Sequence, residues 1–153
     1  MKESEVKQHF DKHRNALFKK LNRKDPLSDT ICTEFGKAYL GNKYRGTYSQ
    51  NSLPLTRGYY VFNTDHSDNP GIHWVACVNT GRTMYIYDSF ARSRKQLLKT
   101  LTKRLKFNKA DLKIVEADRN DAEQKGNSAV CGHLCLAFLF TAHDLGIRNA
   151  IKI

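Results

Sequence analysis

The chain has 153 residues, of which 40% are hydrophobic, and it carries a formal net charge of +11. That length supports the core of one domain, and the longest apolar run, residues 134–140, is too short to cross a bilayer. The charged first ten residues lack the apolar segment of a secretory signal. We expect a soluble intracellular protein, a single domain over residues 1–153, reduced cysteines and no membrane partner.

The first predicted helix covers residues 3–22, where apolar residues recur at helical spacing. Pro26 prevents its continuation, so residues 1–25 are predicted to be an N-terminal helical extension. A second helix is predicted from Asp29 to Leu40, with Gly41 ending it. Its inward face is predicted to consist of Ile31, Phe35 and Ala38.

After the second helix, residues 41–58 are rich in Gly, Ser, Asn and Thr and are predicted to form a loop. Three predicted strands, each rich in β-branched and aromatic residues, are 58–63, 73–79 and 83–90. The short connection 80–82 makes the second and third of them a β-hairpin. A further strand is predicted at 112–117.

A basic segment, residues 92–113, contains nine Lys or Arg and one Asp, which gives a local charge of +8. Helical spacing within it predicts a helix whose inner face consists of Leu97, Leu98, Leu101 and Leu105. Such a charge attracts polyanions, so we expect contact with DNA; the alternative is a solvated helix face. The residues predicted to bind nucleic acid are Arg92, Arg94, Lys95, Lys99, Lys103, Arg104 and Lys106.

The final predicted helix, residues 129–145, is apolar nearly all round, which is typical of a helix buried in the middle of a domain. No internal repeat or change of composition marks a second domain. The predicted fold is α+β: a small, mostly antiparallel sheet packed with this buried C-terminal helix, plus helices at the N-terminus.

Cys131 stands where the last helix begins, with Ser128 or Asn127 predicted as its N-cap. The positive end of a helix dipole favours a thiolate, and free backbone N–H groups there can hold an oxyanion. The alternative is a small buried core residue, which is the prediction for Cys135, one turn further along. A metal site is not expected, because a helix points His133 away from both cysteines.

A nucleophilic thiol needs a base, and His73 is the histidine that opens a predicted strand. Asp88 ends the strand that forms a hairpin with it, so the two side chains are expected to meet at one end of the sheet. A carboxylate there holds the second imidazole nitrogen and stabilises the charged ring. The alternatives are a solvent-facing histidine at a strand edge and an aspartate that caps the turn before Ser89.

Two further residues complete the candidate site. Gln124 lies seven residues before Cys131, and its amide is placed to donate to an oxyanion together with the backbone N–H of Cys131. Trp74 follows His73 and either forms a wall of the substrate site or fills the core; we expect the wall.

The chain contains the stretches YRGTYSQNSLPL, GIHWVACVN, MYIYDSF and EQKGNSAVCGHLCLAF. They resemble the adenovirus-type maturation proteases, the adenain family, within the clan that includes the SUMO-deconjugating proteases. The resemblance covers residues 28–145. It implies an adenain-like cysteine protease fold with His73 as base, Asp88 as orienting acid, Gln124 as oxyanion donor and Cys131 as nucleophile. Adenain has Glu as its acid, whereas the SUMO-protease branch has Asp, as this chain does.

The same resemblance implies a viral or virus-like endopeptidase that cuts capsid and core precursor proteins during virion maturation. It implies activation by DNA and by a short viral peptide, with no cofactor required for the chemistry. The implied location is the infected host cell, in its nucleus or a virus factory, and the virion; we expect a monomer. Three other functions stay open: an isopeptidase for a ubiquitin-like modifier, an acyltransferase, and a non-catalytic basic module that binds nucleic acid.

Overall fold

Five helices and five strands form the part of the chain that the computed structural model describes, residues 1–64, 73–89, 98–117 and 128–153. The helices are α1 (Glu3–Lys20), α2 (Asp29–Leu40), α3 (Lys99–Phe107), α4 (Cys131–Leu145) and α5 (Ile147–Ala150). The strands are β1 (Tyr44–Ser49), β2 (Gly58–Asn63), β3 (Trp74–Asn79), β4 (Thr83–Tyr87) and β5 (Lys113–Glu116). The α+β class is confirmed, and none of the described helices has both the length and the apolarity needed to span a membrane.

The five strands make one mixed sheet in the order β1-β2-β3-β4-β5. The two central pairs are antiparallel and the two edge pairs are parallel, so the sheet is mixed, where the sequence predicts a mostly antiparallel one. The prediction of a loop at 41–58 is wrong for β1, which pairs with β2. The register of β1 shifts between Tyr44 and Gly46, and a bulged edge strand that contains glycine lacks the alternating apolar pattern of a regular strand.

Helix α2 has the predicted bounds, because both of its ends depend on local signals. Ser28 Oγ accepts a hydrogen bond from the Ile31 N–H at 3.2 Å. Gly41 has a φ of 60° just past the last helical residue, a conformation that favours glycine.

The inward face of α2 agrees with the prediction in part. Ile31 and Phe35 are partly buried and pack against the hydrophobic core as predicted, whereas Ala38 is exposed. The buried residues of this helix are Cys32, Gly36 and Leu40. A Cβ at Gly36 would lie 2.7 Å from the ring of Tyr44, so the helix rests on β1 through the position that has no side chain.

Helix α4 passes through the main core, where all of residues 131–142 are buried. One face of the sheet contributes Ala76 and Val78 to this core. Phe10 and Leu17 of α1 belong to the same cluster, so the N-terminal helix packs into the core that surrounds α4.

A second hydrophobic cluster lies on the other face of the sheet, beneath α3. Leu98, Leu101 and Leu105 are buried there against Val75, as their helical spacing predicts. Leu97 lies outside the described residues. Because successive strand residues face opposite sides of a sheet, β3 contributes to both clusters.

All four cysteines are buried and free of disulfide bonds, as expected. Burial raises the pKa of the Cys32 thiol to about 12 and also raises the pKa of Cys77 and of Cys131. In the unfolded chain these thiols release their protons near the ordinary thiol pKa of about 8.5. The folded protein therefore holds the three protons to higher pH than the unfolded chain does.

We expect the free energy of unfolding to fall as the pH rises above about 8.5, because the unfolded chain then binds fewer protons. Each thiol contributes a slope of about 1.4 kcal/mol per pH unit until its folded pKa is reached. Urea unfolding at a series of pH values measures this decline, and Cys32→Ala should make it shallower. A free energy of unfolding that stays level in alkaline solution would contradict the prediction.

Candidate active site

Cys131 is the first residue of α4, and it is fully buried. A 3₁₀ turn, Ser128–Val130, comes before it, and the N-cap position is Val130. The prediction of Ser128 as the cap is therefore wrong, because this extra turn separates it from the helix; Asn127, the other predicted cap, lies outside the described residues. Cys131 still lies in the first turn, among the N–H groups that a helix leaves free at its start.

Three backbone N–H groups favour the charged form of the Cys131 sulfur. The N–H of Trp74 donates to Sγ at 3.2 Å, and the other two belong to Gly132 and to Cys131 itself. Burial is the larger effect and raises the pKa of the thiol, and the Asp88 carboxylate raises it further. The N–H groups at the helix start therefore act in the predicted direction, while burial acts against them and raises the pKa of the thiol overall.

His73 and Asp88 form the pair that the hairpin predicts. His73 Nε2 donates to Asp88 Oδ1 at 2.5 Å, and the two side chains are 2% and 1% exposed, which excludes a solvent-facing histidine. The register pairs Ala76 with Tyr87, so His73 lies diagonally across the two strands from Asp88. The Thr64 N–H donates to the His73 carbonyl at 3.2 Å and holds it against the end of β2.

Trp74 connects this pair to the sulfur. It follows His73 in the chain, its N–H contacts Cys131, and the Asp88 carboxylate is near enough to that sulfur to raise the thiol pKa. The structure therefore brings His73, Asp88 and Cys131 to one end of the sheet. The indole of Trp74 is partly buried and donates from Nε1 to the Leu27 carbonyl at 2.7 Å; its role as a wall stays a prediction.

The segment between α1 and α2 lies against the start of α4. His133 Nε2 donates to the Asn22 carbonyl at 3.0 Å. A Cβ at Gly132 would lie 3.1 Å from the Leu27 side chain, so glycine at this position lets the segment approach closely. Residues next to Cys131 thus anchor the N-terminal part of the chain, an arrangement that no local sequence pattern indicates.

Gln50 is a buried residue that connects three parts of the fold near the site. Its Nε2 donates to the Thr64 carbonyl at 3.0 Å, and its Oε1 accepts from the Leu101 N–H at 2.9 Å. Its own carbonyl accepts from Arg104 Nη1 at 2.9 Å. Gln50 therefore joins the end of β1 to α3 and, through Thr64, to His73. Its partners are 14 to 54 residues away, so sequence reasoning misses it.

Gln50→Ala is expected to lower the free energy of unfolding by about 2–4 kcal/mol, because a part-buried carbonyl and a buried N–H lose their partners. Urea denaturation measures the change. Gln8→Ala, on the exposed face of α1, is the matched control and should stay within about 0.5 kcal/mol of the unchanged protein. Equal stability of the two variants would mean that these hydrogen bonds do not hold α3 in place.

The other predicted residues lie on α3 or outside the described residues. Those outside are Arg92, Arg94, Lys95 and Gln124. Those exposed on α3 are Lys99, Lys103 and Lys106. Arg104 is partly buried by its contact with Gln50, and Phe107 at the end of the helix is 87% exposed. The outer face of α3 is therefore basic, with one large apolar side chain at its end.

Comparison with known protein families matches residues 47–148 to the model described as adenovirus endoprotease. The match covers 102 of the 153 residues and includes His73, Asp88, Gln124 and Cys131. Comparison with curated proteins gives no match. The chain therefore belongs to the adenovirus endoprotease family and is a viral cysteine peptidase, whose substrates are proteins.

Proposed function

We propose that the chain is a cysteine endopeptidase in which Cys131 is the nucleophile, His73 the base and Asp88 the acid that orients the base. One observation carries the proposal. The buried His73–Asp88 pair, at 2.5 Å, lies beside a thiol that is 3.2 Å from the N–H of the residue after His73. A thiol, an imidazole and a carboxylate in series are the groups that nucleophilic catalysis requires.

The first step is proton transfer from sulfur to imidazole. Burial raises the pKa of the Cys131 thiol, which favours the protonated form before substrate docks. Because Asp88 holds Nε2 of His73, Nδ1 takes the thiol proton as substrate docks. The sulfur then attacks the carbonyl carbon of the scissile peptide bond, while the Asp88 carboxylate stabilises the imidazolium.

The later steps need an oxyanion site and a proton donor. The Cys131 N–H and the Gln124 amide hold the tetrahedral oxyanion. His73 returns its proton to the leaving amine as the C–N bond breaks, and water then hydrolyses the acyl-enzyme and restores the thiol. The partly exposed indole of Trp74 forms one wall of the substrate site.

Gln124→Ala is expected to lower kcat about 100- to 1000-fold, because one of the two oxyanion donors is lost while substrate binding is kept. Steady-state kinetics on a peptide substrate measures the loss. Glu123→Ala, at the neighbouring position, is the control and should stay close to the unchanged enzyme. A Gln124→Ala variant as active as this control would remove Gln124 from the site.

We infer that the substrates are viral capsid and core precursor proteins, cut during virion maturation. The peptidase then acts in the infected host cell, in the nucleus or a virus factory, and in the virion. Membership of the adenovirus endoprotease family supports this inference. We further propose a monomer whose chemistry requires no cofactor and whose activity a short viral peptide increases.

DNA is the second activator that we propose, bound by the outer face of α3. Lys99, Lys103 and Lys106 are exposed there, and α3 contains no acidic residue. The net charge of +11 adds a long-range attraction for phosphates. Phe107 offers an exposed ring on which a base can stack.

Incubation of the purified chain with capsid and core precursors, with and without DNA, tests this function. We expect cleavage at specific bonds, accelerated by DNA and less so at high salt. Changing Lys99, Lys103 and Lys106 together to glutamine should remove the DNA effect and keep the rate without DNA. The matched control changes three exposed lysines of α1 in the same way: Lys12, Lys19 and Lys20.

A panel of ubiquitin-like-modifier conjugates separates the proposed substrates from those of an isopeptidase. Cleavage of the conjugates but not of the precursors would favour the isopeptidase. Equal loss of DNA stimulation in both lysine variants would show that total charge, and not the face of α3, attracts DNA.

A further inference from the structure

Two histidines of α1 and one aspartate of α4 form a cluster far from the peptidase site. His9 Nε2 and His13 Nε2 each lie 2.7 Å from Asp144 Oδ2. The three potential ligand atoms lie within 4.8 Å of one another. Asp144 follows Cys131 by thirteen residues on the same helix, which places the cluster about 20 Å from the thiol along α4.

Neighbouring side chains hold this cluster in shape. Residues four apart on a helix project from the same face, so His9 and His13 both point toward α4. Tyr39 Oη donates to Oδ1 and Oδ2 of Asp144, at 2.9 and 2.8 Å. The His13 ring packs edge-on against Tyr39 and Phe140, with ring centroids 5.2 and 5.4 Å apart. Outer contacts of this kind orient the ligands of metal sites.

We propose that His9, His13 and Asp144 bind a divalent transition metal ion, with Zn²⁺ the best match. Two imidazoles four residues apart on a helix and one carboxylate form a ligand set that Zn²⁺ uses, whereas Ca²⁺ and Mg²⁺ take oxygen ligands. The three side chains are 32%, 17% and 21% exposed, so an ion enters from solvent and a water molecule fills the fourth position.

The three side chains have to rotate to accept the ion. Ligand atoms of a tetrahedral Zn²⁺ with bonds of about 2.0–2.1 Å lie about 3.3 Å apart. The two N···O separations are 2.7 Å, so each imidazole nitrogen has to withdraw from the carboxylate by about 0.6 Å. The two nitrogens, which lie within 4.8 Å of each other, also have to come to about 3.3 Å, and rotation of the side chains allows both shifts.

The ion would link α1 to the helix that carries Cys131 without entering the peptidase chemistry. In the sequence, Asp144 is 135 residues from His9 and 131 residues from His13, so unfolding separates the ligands. An ion that binds only the folded chain stabilises it by mass action. We therefore expect Tm to rise with the concentration of Zn²⁺.

Titration with Co²⁺ tests the site in the full chain carrying Cys131→Ala, a background that removes the proposed reactive thiol as a competing ligand. We expect one equivalent of Co²⁺ to bind with the visible absorption of a tetrahedral site, and Zn²⁺ to displace it. His13→Ala should weaken Zn²⁺ binding by more than about 100-fold, and Tyr39→Phe by about 10- to 100-fold. His143→Ala is the matched control and should leave binding nearly unchanged, because the His143 ring lies next to Asp144 and against Tyr39 but its Nδ1 contacts Lys43 and not the cluster.

A second measurement needs no change in the cluster. Zn²⁺ should protect His9 and His13, but not His143, from diethylpyrocarbonate, as read by mass spectrometry of the labelled peptides. Equal labelling of all three with and without Zn²⁺, absence of saturable Co²⁺ binding, or undiminished binding in His13→Ala would overturn the proposal. The cluster would then be a hydrogen-bonded contact between two helices and nothing more.

Discussion

Cys131→Ala is expected to abolish cleavage of the precursor proteins, a loss of about a million-fold in kcat. The sulfur is the atom that forms the acyl-enzyme, and alanine leaves the His73–Asp88 pair with no nucleophile to activate. Gel analysis and mass spectrometry of precursors after long incubation measure the loss.

Cys135→Ala is the matched control for this variant. Cys135 lies one turn further along α4 and is fully buried, so its replacement should reduce stability by about 1 kcal/mol and leave kcat unchanged. Cleavage by Cys131→Ala at the same bonds as the unchanged protein would show that Cys131 is a core residue and not the nucleophile.

Asp88→Asn is expected to lower kcat by about ten-thousand-fold, with a much smaller change in KM. The carboxylate accepts the Nε2 proton of His73 and stabilises the imidazolium that forms when the thiol is deprotonated. A neutral amide of the same shape lacks the charge and can present its NH₂ group to the ring, which selects the wrong tautomer. Steady-state kinetics on a peptide substrate measures both constants.

Asp111→Asn, at an exposed position, removes the same charge far from the pair in sequence and should have no effect on kcat. The free energy of unfolding of Asp88→Asn in urea distinguishes a loss of catalysis from a loss of the fold. A folded Asp88→Asn variant with nearly full kcat would assign Asp88 to structure alone.

The elements that the sequence predicts well have local causes. The bounds of α2 follow from a cap at Ser28 and a glycine at 41, and β2 follows from an aromatic and β-branched run. The hairpin of β3 and β4 follows from two such runs with a short connection, and it is the hairpin that predicts the meeting of His73 with Asp88.

The errors occur where distant partners decide the outcome. β1 is irregular in sequence and becomes a strand because β2 pairs with it. The inward face of α2 depends on the ring of Tyr44, which packs against position 36, where only glycine leaves room for it. Gln50 has an ordinary loop composition around it, and its role exists only because Thr64 and Leu101 come within hydrogen-bond distance.

By itself, the sequence determined the α+β class, the helix that begins at Cys131, and the histidine and aspartate that meet at one end of a hairpin. Spacing, turn residues and caps act over a few positions, so they can be read without the rest of the chain. The tertiary structure alone decided that burial raises the pKa of Cys131, because packing around α4 removes the thiol from water and acts against the N–H groups at the helix start. It also decided the meeting of His9 and His13 with Asp144, since long-range contacts depend on how the elements pack and not on the residues beside them.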